Sequence, residues 1–259
     1  MKEVKKPILQ IQPRHRNRDE WAAFAEKEDL DFEILELSAL PALNESGLFE
    51  IGKEWYKKSK RVRSFHGVFI DINPASGDRW IRDYSREKCR ESCRIAKEVG
   101  AENIVFHSSC FPFLRGVYIE GWSAQCAEFY EELADEFDMH VYIENSFDID
   151  TQPLLAIMEV VKNEKVGVCL DLGHANYSGT PLEEWFELLG QWIGYIHLSD
   201  NMGVYDDHIP LGRGTVDWKK ADLLYKSLDR RLPMTLEVDD IKGLKESLDF
   251  LKRNNYFAL

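Results

Sequence analysis

A chain of 259 residues is too long for a small stapled module and, at ~150 residues per domain, has the length of one large domain or two small ones. Hydrophobic residues make up 44% and charged residues 31%, the latter dispersed along the chain, which excludes a disordered protein. The 33 basic and 46 acidic residues give a net charge of −13, the wrong sign for holding nucleic acid by the average field, although a local basic site is compatible with it.

The opening MKEVKKPILQIQ has a basic start without an apolar stretch of signal-peptide length. No run approaches the ~18 apolar residues of a membrane span, so a soluble, cytoplasmic protein with no membrane partner is expected. Short runs rich in Ile, Val, Phe and Tyr then alternate with longer stretches at helical spacing. Strands are predicted at Ile8–Gln12, Phe32–Leu37, Ser64–Ile70, Asn103–His107, Val141–Glu144, Val166–Asp171, Gly194–Leu198 and Met234–Val238, each followed by a helix. In Thr180-Pro181-Leu182-Glu183, Thr180 is the expected N-cap and Pro181 the first helical residue, and Leu182, Trp185, Phe186 and Leu189 form the buried stripe. Ile241, Leu244, Leu248 and Leu251 repeat similarly in the last helix.

Eight such units average ~32 residues, near the minimum for a strand, a helix and two loops, and predict an α/β fold: a (βα)8 barrel forming a single domain over residues 1–259. A doubly wound open sheet is the competing architecture, but Gln12-Pro13-Arg14-His15-Arg16 follows the first strand where a glycine-rich dinucleotide fingerprint would stand. The cysteines Cys89, Cys93, Cys110, Cys126 and Cys169 are odd in number and read as reduced thiols, with Cys89 and Cys93 as small buried hydrophobes on one helix.

Function in a parallel barrel collects where strands end. Six consecutive strand ends carry ionisable groups: His66, His107, Glu144, Asp171 with His174 one turn on, His197, and Glu237. The loop after the seventh strand adds Asp206 and His208. So many groups converging on one mouth would repel or desolvate one another unless cations neutralise the carboxylates and accept the imidazole lone pairs. Mixed nitrogen and oxygen donors suit Zn, Mn, Co or Fe.

Three stretches, HGVFIDIN after the third strand, CLDLGHAN at the sixth and HLSDNMGVYDDHIPLGRGTVDW at the seventh, resemble the xylose isomerase-like TIM barrels. That superfamily includes sugar isomerases, ketose 3-epimerases, inosose dehydratases and the endonuclease IV type of apurinic endonuclease, and the resemblance runs from about Ile8 to Glu237. The epimerase branch implies one divalent ion on Glu144, Asp171, His197 and Glu237, with Glu144 and Glu237 also moving the substrate proton through an enediolate and His174 touching substrate. Those epimerases carry an arginine six residues beyond the metal histidine; Gly203 stands there, and Arg213 is the expected substitute. The endonuclease IV branch implies three zinc ions, adding His66, His107, His174, Asp206 and His208 as ligands.

Arginines crowd the expected mouth loops: Arg14, Arg16, Arg18, Arg79, Arg82, Arg115 and Arg213. As a group they favour an anionic substrate, with Arg16 and Arg213 as contacts, while each taken singly reads as a solvated loop residue. Trp80 and Trp122 are candidate platforms for a sugar face, and Trp21, Trp55, Trp185 and Trp192 are expected in helix cores. Asn145 and Asp200 are expected to orient neighbouring ligands. The leading expectation is a metal-dependent isomerase or epimerase of a small anionic sugar, using one to three Zn, Mn or Co ions. The alternatives are a multi-zinc phosphoesterase acting on abasic DNA and a metal-containing barrel that binds a ligand without turnover. Metal count and homo-oligomerisation are left open by the sequence.

Overall fold

The computed structural model describes residues 7–39, 47–113 and 115–259. Eight strands close into a barrel in sequence order: β1 (Ile8–Ile11), β2 (Asp31–Ile34), β3 (Val62–His66), β4 (Asn103–His107), β5 (His140–Glu144), β6 (Val166–Asp171), β7 (Ile193–Leu198) and β8 (Pro233–Leu236). Every neighbouring pair is parallel, and β1 pairs with β8 to complete the ring. Parallel strands buried on both faces need nearly continuous apolar sequence, and all of Val166–Asp171 is buried.

Ten α-helices occur among the described residues: α1 (Arg18–Glu28), α2 (Glu36–Ala39), α3 (Leu48–Lys58), α4 (Arg79–Val99), α5 (Val117–Phe137), α6 (Gln152–Met158), α7 (Leu172–Ser178), α8 (Leu182–Leu189), α9 (Trp218–Ser227) and α10 (Ile241–Asn254). The Asp78 carboxylate accepts Trp80 N and Ile81 N at the start of α4, and Gly100 ends that helix with φ 86°. Cys89 and Cys93 lie buried on its inner face, and all five cysteines are free and buried. No helix among the described residues is long and apolar enough to cross a membrane.

Several boundaries differ from expectation, by one or two residues at β1, β5, β7 and β8 and more instructively at three others. The second strand stops at Ile34, and the chain turns at once into α2. The third spans Val62–His66 instead of reaching Ile70. At Gly67 the chain leaves the barrel against the Phe106 ring, where an added Cβ would sit 2.1 Å from a ring carbon. Helix α8 begins one residue late, with Pro181 at its cap, because the Thr180 hydroxyl donates to Ile149 O (2.9 Å) rather than capping the helix. Its apolar stripe is as predicted, with Trp185, Phe186 and Leu189 buried. Trp21 is also buried, Trp55 is half-buried, and Trp192 lies half-buried in the turn before β7 rather than in a helix.

Candidate metal centre

Residues two apart on a strand share a face, so the barrel interior stacks in layers. Gln10, Ser64, Val105, Tyr142, Cys169, Tyr195 and Thr235 form a lower layer, of which Val105, Cys169, Tyr195 and Tyr142 pack together apart from the main core. Two residues further along the same strands come Gln12, His66, His107, Glu144, Asp171, His197 and Glu237. Strand register sets His107 beside Glu144 and Asp171 beside His197. Helix α7 follows β6 without a loop because the Asp171 carboxylate caps it, accepting His174 N at 2.6 Å. That cap turns His174 back over the mouth.

All nine residues expected as ligands come together, in three groups whose donor atoms lie within 4.8 Å of one another. The first is His66, His107 and Glu144; the second Glu144, Asp171, His197 and Glu237; the third His174, Asp206 and His208. Glu144 is shared: its Oε2 lies 3.4 Å from His66 Nε2 and 3.6 Å from His107 Nε2, while its Oε1 lies 3.3 Å from His197 Nδ1. Glu237 Oε1 approaches the same Nδ1 at 3.3 Å from another side. In the third group His174 Nε2 is 3.2 Å from Asp206 Oδ2 and His208 Nε2 is 3.0 Å from Asp206 Oδ1. A further combination contains Cys169 with Glu144 and His197.

The donor atoms suit a divalent cation. His66 Nδ1 donates to Gly67 O (2.9 Å) and His174 Nδ1 to Asn145 O (2.6 Å), since a carbonyl only accepts; with a cation in place of the Nε2 proton, each ring would direct an Nε2 lone pair at its group. His197 does the reverse, giving Nε2–H to the Glu33 carboxylate (3.1 Å) and turning Nδ1 towards Glu144 and Glu237. Fixing one ring nitrogen on an oxygen is how proteins orient metal-binding histidines. Glu144 Oε2, His197 Nδ1 and His208 Nε2 are buried without a hydrogen-bond partner, an arrangement that is costly unless a cation sits among them.

The electrostatics point the same way. Burial pushes every imidazole here down, but carboxylates overcome it: Asp171 and Asp206 beside His174, and Glu237, Glu33 and Glu144 around His197, lift both rings well above the usual range. His208 rises to about 9 against its burial because the Asp206 carboxylate lies 3.0 Å away and Glu237 adds to it. His107 is the exception: burial, reinforced by neighbouring imidazoles, carries it to about 3 against the pull of Glu144, so one ring nitrogen keeps its lone pair free. Burial and the nearby Glu237 and Glu144 raise Asp171 to about 7 despite His174. Positive charge is what this cluster demands.

Asp200, expected to orient ligands, holds the loop after β7. Fully buried, it accepts Gly212 N (2.8 Å), Gly214 N (3.1 Å) and Trp218 Nε1 (2.9 Å), pinning the far end of the loop that carries Asp206 and His208. Asn145 clasps the Asp171 backbone, accepting from its N (2.8 Å) and donating to its O (3.0 Å).

The expected substrate contacts fare differently. Arg213 is paired with Glu246 of α10 at 2.6 Å and does not replace the arginine missing at Gly203, whose φ of +77° disfavours any side chain. Arg14, Arg18, Arg79 and Arg115 are likewise bound to Asp239, Glu36, Asp83 and Asp150, and Arg82 donates to Ser76 O. Neutralised arginines withdraw most of the support for an anionic substrate; Arg16 stands exposed in the loop after β1. Trp80 is 79% exposed on the first turn of α4, whereas Trp122 is 2% exposed in the core, with no face left for a sugar. His140 is exposed at the opposite end of the barrel.

Glu33 lies within β2 and Gln12 one residue past β1, away from the later strand ends whose ionisable residues stand out in the sequence. The signal was there: Glu33 interrupts the apolar run Phe32-Glu33-Ile34, and Gln10 and Gln12 recur at period two. Burial pushes the Glu33 carboxyl up, but the charge of His197 and its hydrogen bond outweigh that and hold it at about 2.

A family model described as xylose isomerase-like TIM barrel matches residues 24–254. An uncharacterised protein of Methanocaldococcus jannaschii is 26% identical over 205 residues, covering 72% of this chain and 68% of the relative. A probable endonuclease 4 of Ureaplasma urealyticum is 24% identical over 195 residues, 66% of this chain and 63% of its own. Among solved structures, a D-tagatose 3-epimerase-like protein superposes with TM-score 0.77 at 22% identity over 96% of both chains. A Thermus thermophilus protein soaked with zinc chloride gives 0.77 at 24% identity over 95% of this chain and 97% of its own. A D-allulose 3-epimerase from Methylomonas in complex with D-allulose gives 0.73 at 17% identity over 96% and 98%. At such identities the structural likeness establishes the fold.

Proposed function

The chain belongs to the xylose isomerase-like TIM barrel family, and from that premise we propose that it is a metal-dependent isomerase or epimerase of a small carbohydrate. The observation that carries this reading is the second group: two buried glutamates, Glu144 and Glu237, each 3.3 Å from His197 Nδ1, with Asp171 completing four donors. Glu144, Asp171, His197 and Glu237 would hold a divalent ion, which supplies Lewis acidity that polarises a sugar carbonyl and acidifies the adjacent C–H. Glu144 and Glu237, standing on either side of His197, would remove a proton from that carbon and return one to it. Gln12 Nε2 donates to Glu237 Oε1, which leaves Oε2 as the proton-carrying oxygen. His174, tied to Asn145 O, would present Nε2 to a substrate oxygen. The sugar epimerases among the structural neighbours support an enzyme of this class. With the mouth arginines largely neutralised, the reading favours hydroxyl groups over charge as the recognised feature.

The test is solvent exchange. Protein loaded with Zn, Mn or Co and incubated in deuterium oxide with ketoses, aldoses and their phosphates is expected to incorporate deuterium at the carbon beside the carbonyl, and Glu144→Gln and Glu237→Gln to abolish it. A metal-loaded wild type that exchanges no member of such a panel overturns the proposal.

The division of nine donors into three groups favours a second reading, a three-ion phosphoesterase acting on abasic DNA. Its support also includes the low-identity endonuclease 4 relatives. Three ions per chain with nicking of abasic duplex would establish it; one ion, or three without nicking, would refute it.

A further inference from the structure

We propose that Glu33, a carboxylate outside all three donor groups, is a positioning residue that sets the ring of His197 and, through Gln12, the carboxylate of Glu237. The inference rests on the metal-dependent reading above and adds to it a control point that lies beneath the site. Glu33 is wholly buried on β2. Its Oε1 accepts Gln12 Nε2 at 2.8 Å; its Oε2 accepts Tyr195 OH at 2.7 Å, Thr235 Oγ1 at 3.0 Å and His197 Nε2 at 3.1 Å. Tyr195 OH is itself held by Gln10 Nε2 at 2.7 Å. Donors from β7, β8 and both glutamines of the β1 segment therefore lock one carboxylate in place. Such a group is expensive to bury where apolar side chains such as Val105 would serve packing alone.

The geometry assigns it a purpose. A carboxylate only accepts, so His197 must give Nε2–H to Glu33 and is left with Nδ1 aimed between Glu144 and Glu237. Gln12 Nε2 likewise has carboxylates at both hydrogens, Glu33 on one side and Glu237 on the other, which decides that the amide nitrogen faces both. Glutamine at position 33 breaks one arm or the other. With its amide nitrogen at the Oε2 position, the two hydroxyls can reverse, but His197 loses its acceptor and the lone pair at Nδ1 is no longer assured. With the nitrogen at the Oε1 position, Gln12 must flip and set its oxygen against Glu237.

The test uses the full chain and the metal alone. Zinc affinity measured by chelator competition is expected to weaken about 10- to 100-fold in Glu33→Gln. The visible spectrum of the cobalt-loaded variant should change, and histidine nitrogen NMR should show an altered His197 ring. Packing alone would lower the melting temperature yet leave affinity and cobalt spectrum at wild-type values in the folded protein; that result overturns the proposal. Glu33→Asp keeps the charge but is one methylene too short to reach both arms, and is expected to weaken zinc about 3- to 10-fold. Should Glu33→Gln not fold, wild-type zinc affinity in Glu33→Asp overturns the proposal instead. Wild type that binds zinc but exchanges no sugar proton would break the proposed function and leave this inference standing.

Discussion

The two ends of the barrel solve the same electrostatic problem in opposite ways. At the N-terminal end, charged groups are exposed or half-buried and matched: Arg63 bridges Asp31 (2.9 Å) and Glu102 (3.7 Å), Lys252 meets Glu28 (2.9 Å), and Asp138 is bound by Lys165. His140 there lies flat on Tyr142, open to solvent. At the C-terminal end, Glu33, Glu144, Asp171 and Glu237 are buried with histidines, and among the described residues they have no lysine or arginine partner and three donor atoms make no hydrogen bond. Water and pairing suffice below; above, the balance calls for cations. Charge at one end is solvated surface and at the other is gathered in groups that could hold a metal ion.

Removing Glu144 should strain this contrast most, since it belongs to two of the three donor groups. Glu144→Gln is expected to lower activity on the order of a thousandfold, and metal analysis should find ions lost from the groups it shares. A variant that keeps its full metal content would show that the mouth tolerates unmatched charge. Next in size, zinc at a thousand times its dissociation constant should stabilise the fold by about 4 kcal/mol, raising the melting temperature by about 10 °C. A chelator should reverse this shift in a thermal scan.

Asp148 probes burial just outside the cluster. Among the described residues, Ser108 Oγ (2.9 Å) and Ser146 N (3.2 Å) serve its carboxylate. Burial raises it to about 7, with Asp150 adding to that and Ser108, Ser146 and His174 opposing. The folded protein thus holds this proton more tightly than the unfolded chain, so the associated stability is intact below about pH 4 and is lost as pH rises to about 7. Asp148→Asn should flatten that slope and stabilise the protein at pH 7 by on the order of 3 kcal/mol, read from denaturant melts at several pH values. The smallest effect belongs to the other end: Arg63→Ala should cost about 0.5 kcal/mol and leave zinc affinity unchanged. A loss of metal binding in that variant would erase the distinction between the two ends.

The alternation of apolar runs with helical stripes was enough to predict eight units and a barrel, because strand and helix periods are local properties of the chain. The convergence of candidate ligands at strand ends was legible for the same reason: parallel closure carries every such end to one rim, whatever the side chain. Partner choice was not local. Arg213 and Arg115 read as substrate contacts or solvated charges until Glu246 and Asp150 came into range, and Trp122 read as a platform until α5 turned it inwards. Glu33 reaches His197 across 164 positions of sequence, a contact that exists only once the sheet has closed. By itself, then, the sequence determined the architecture and the inventory of donors. Tertiary structure alone decided which charges are already neutralised and which remain for a cation, since that depends on distance and burial between residues the chain keeps far apart.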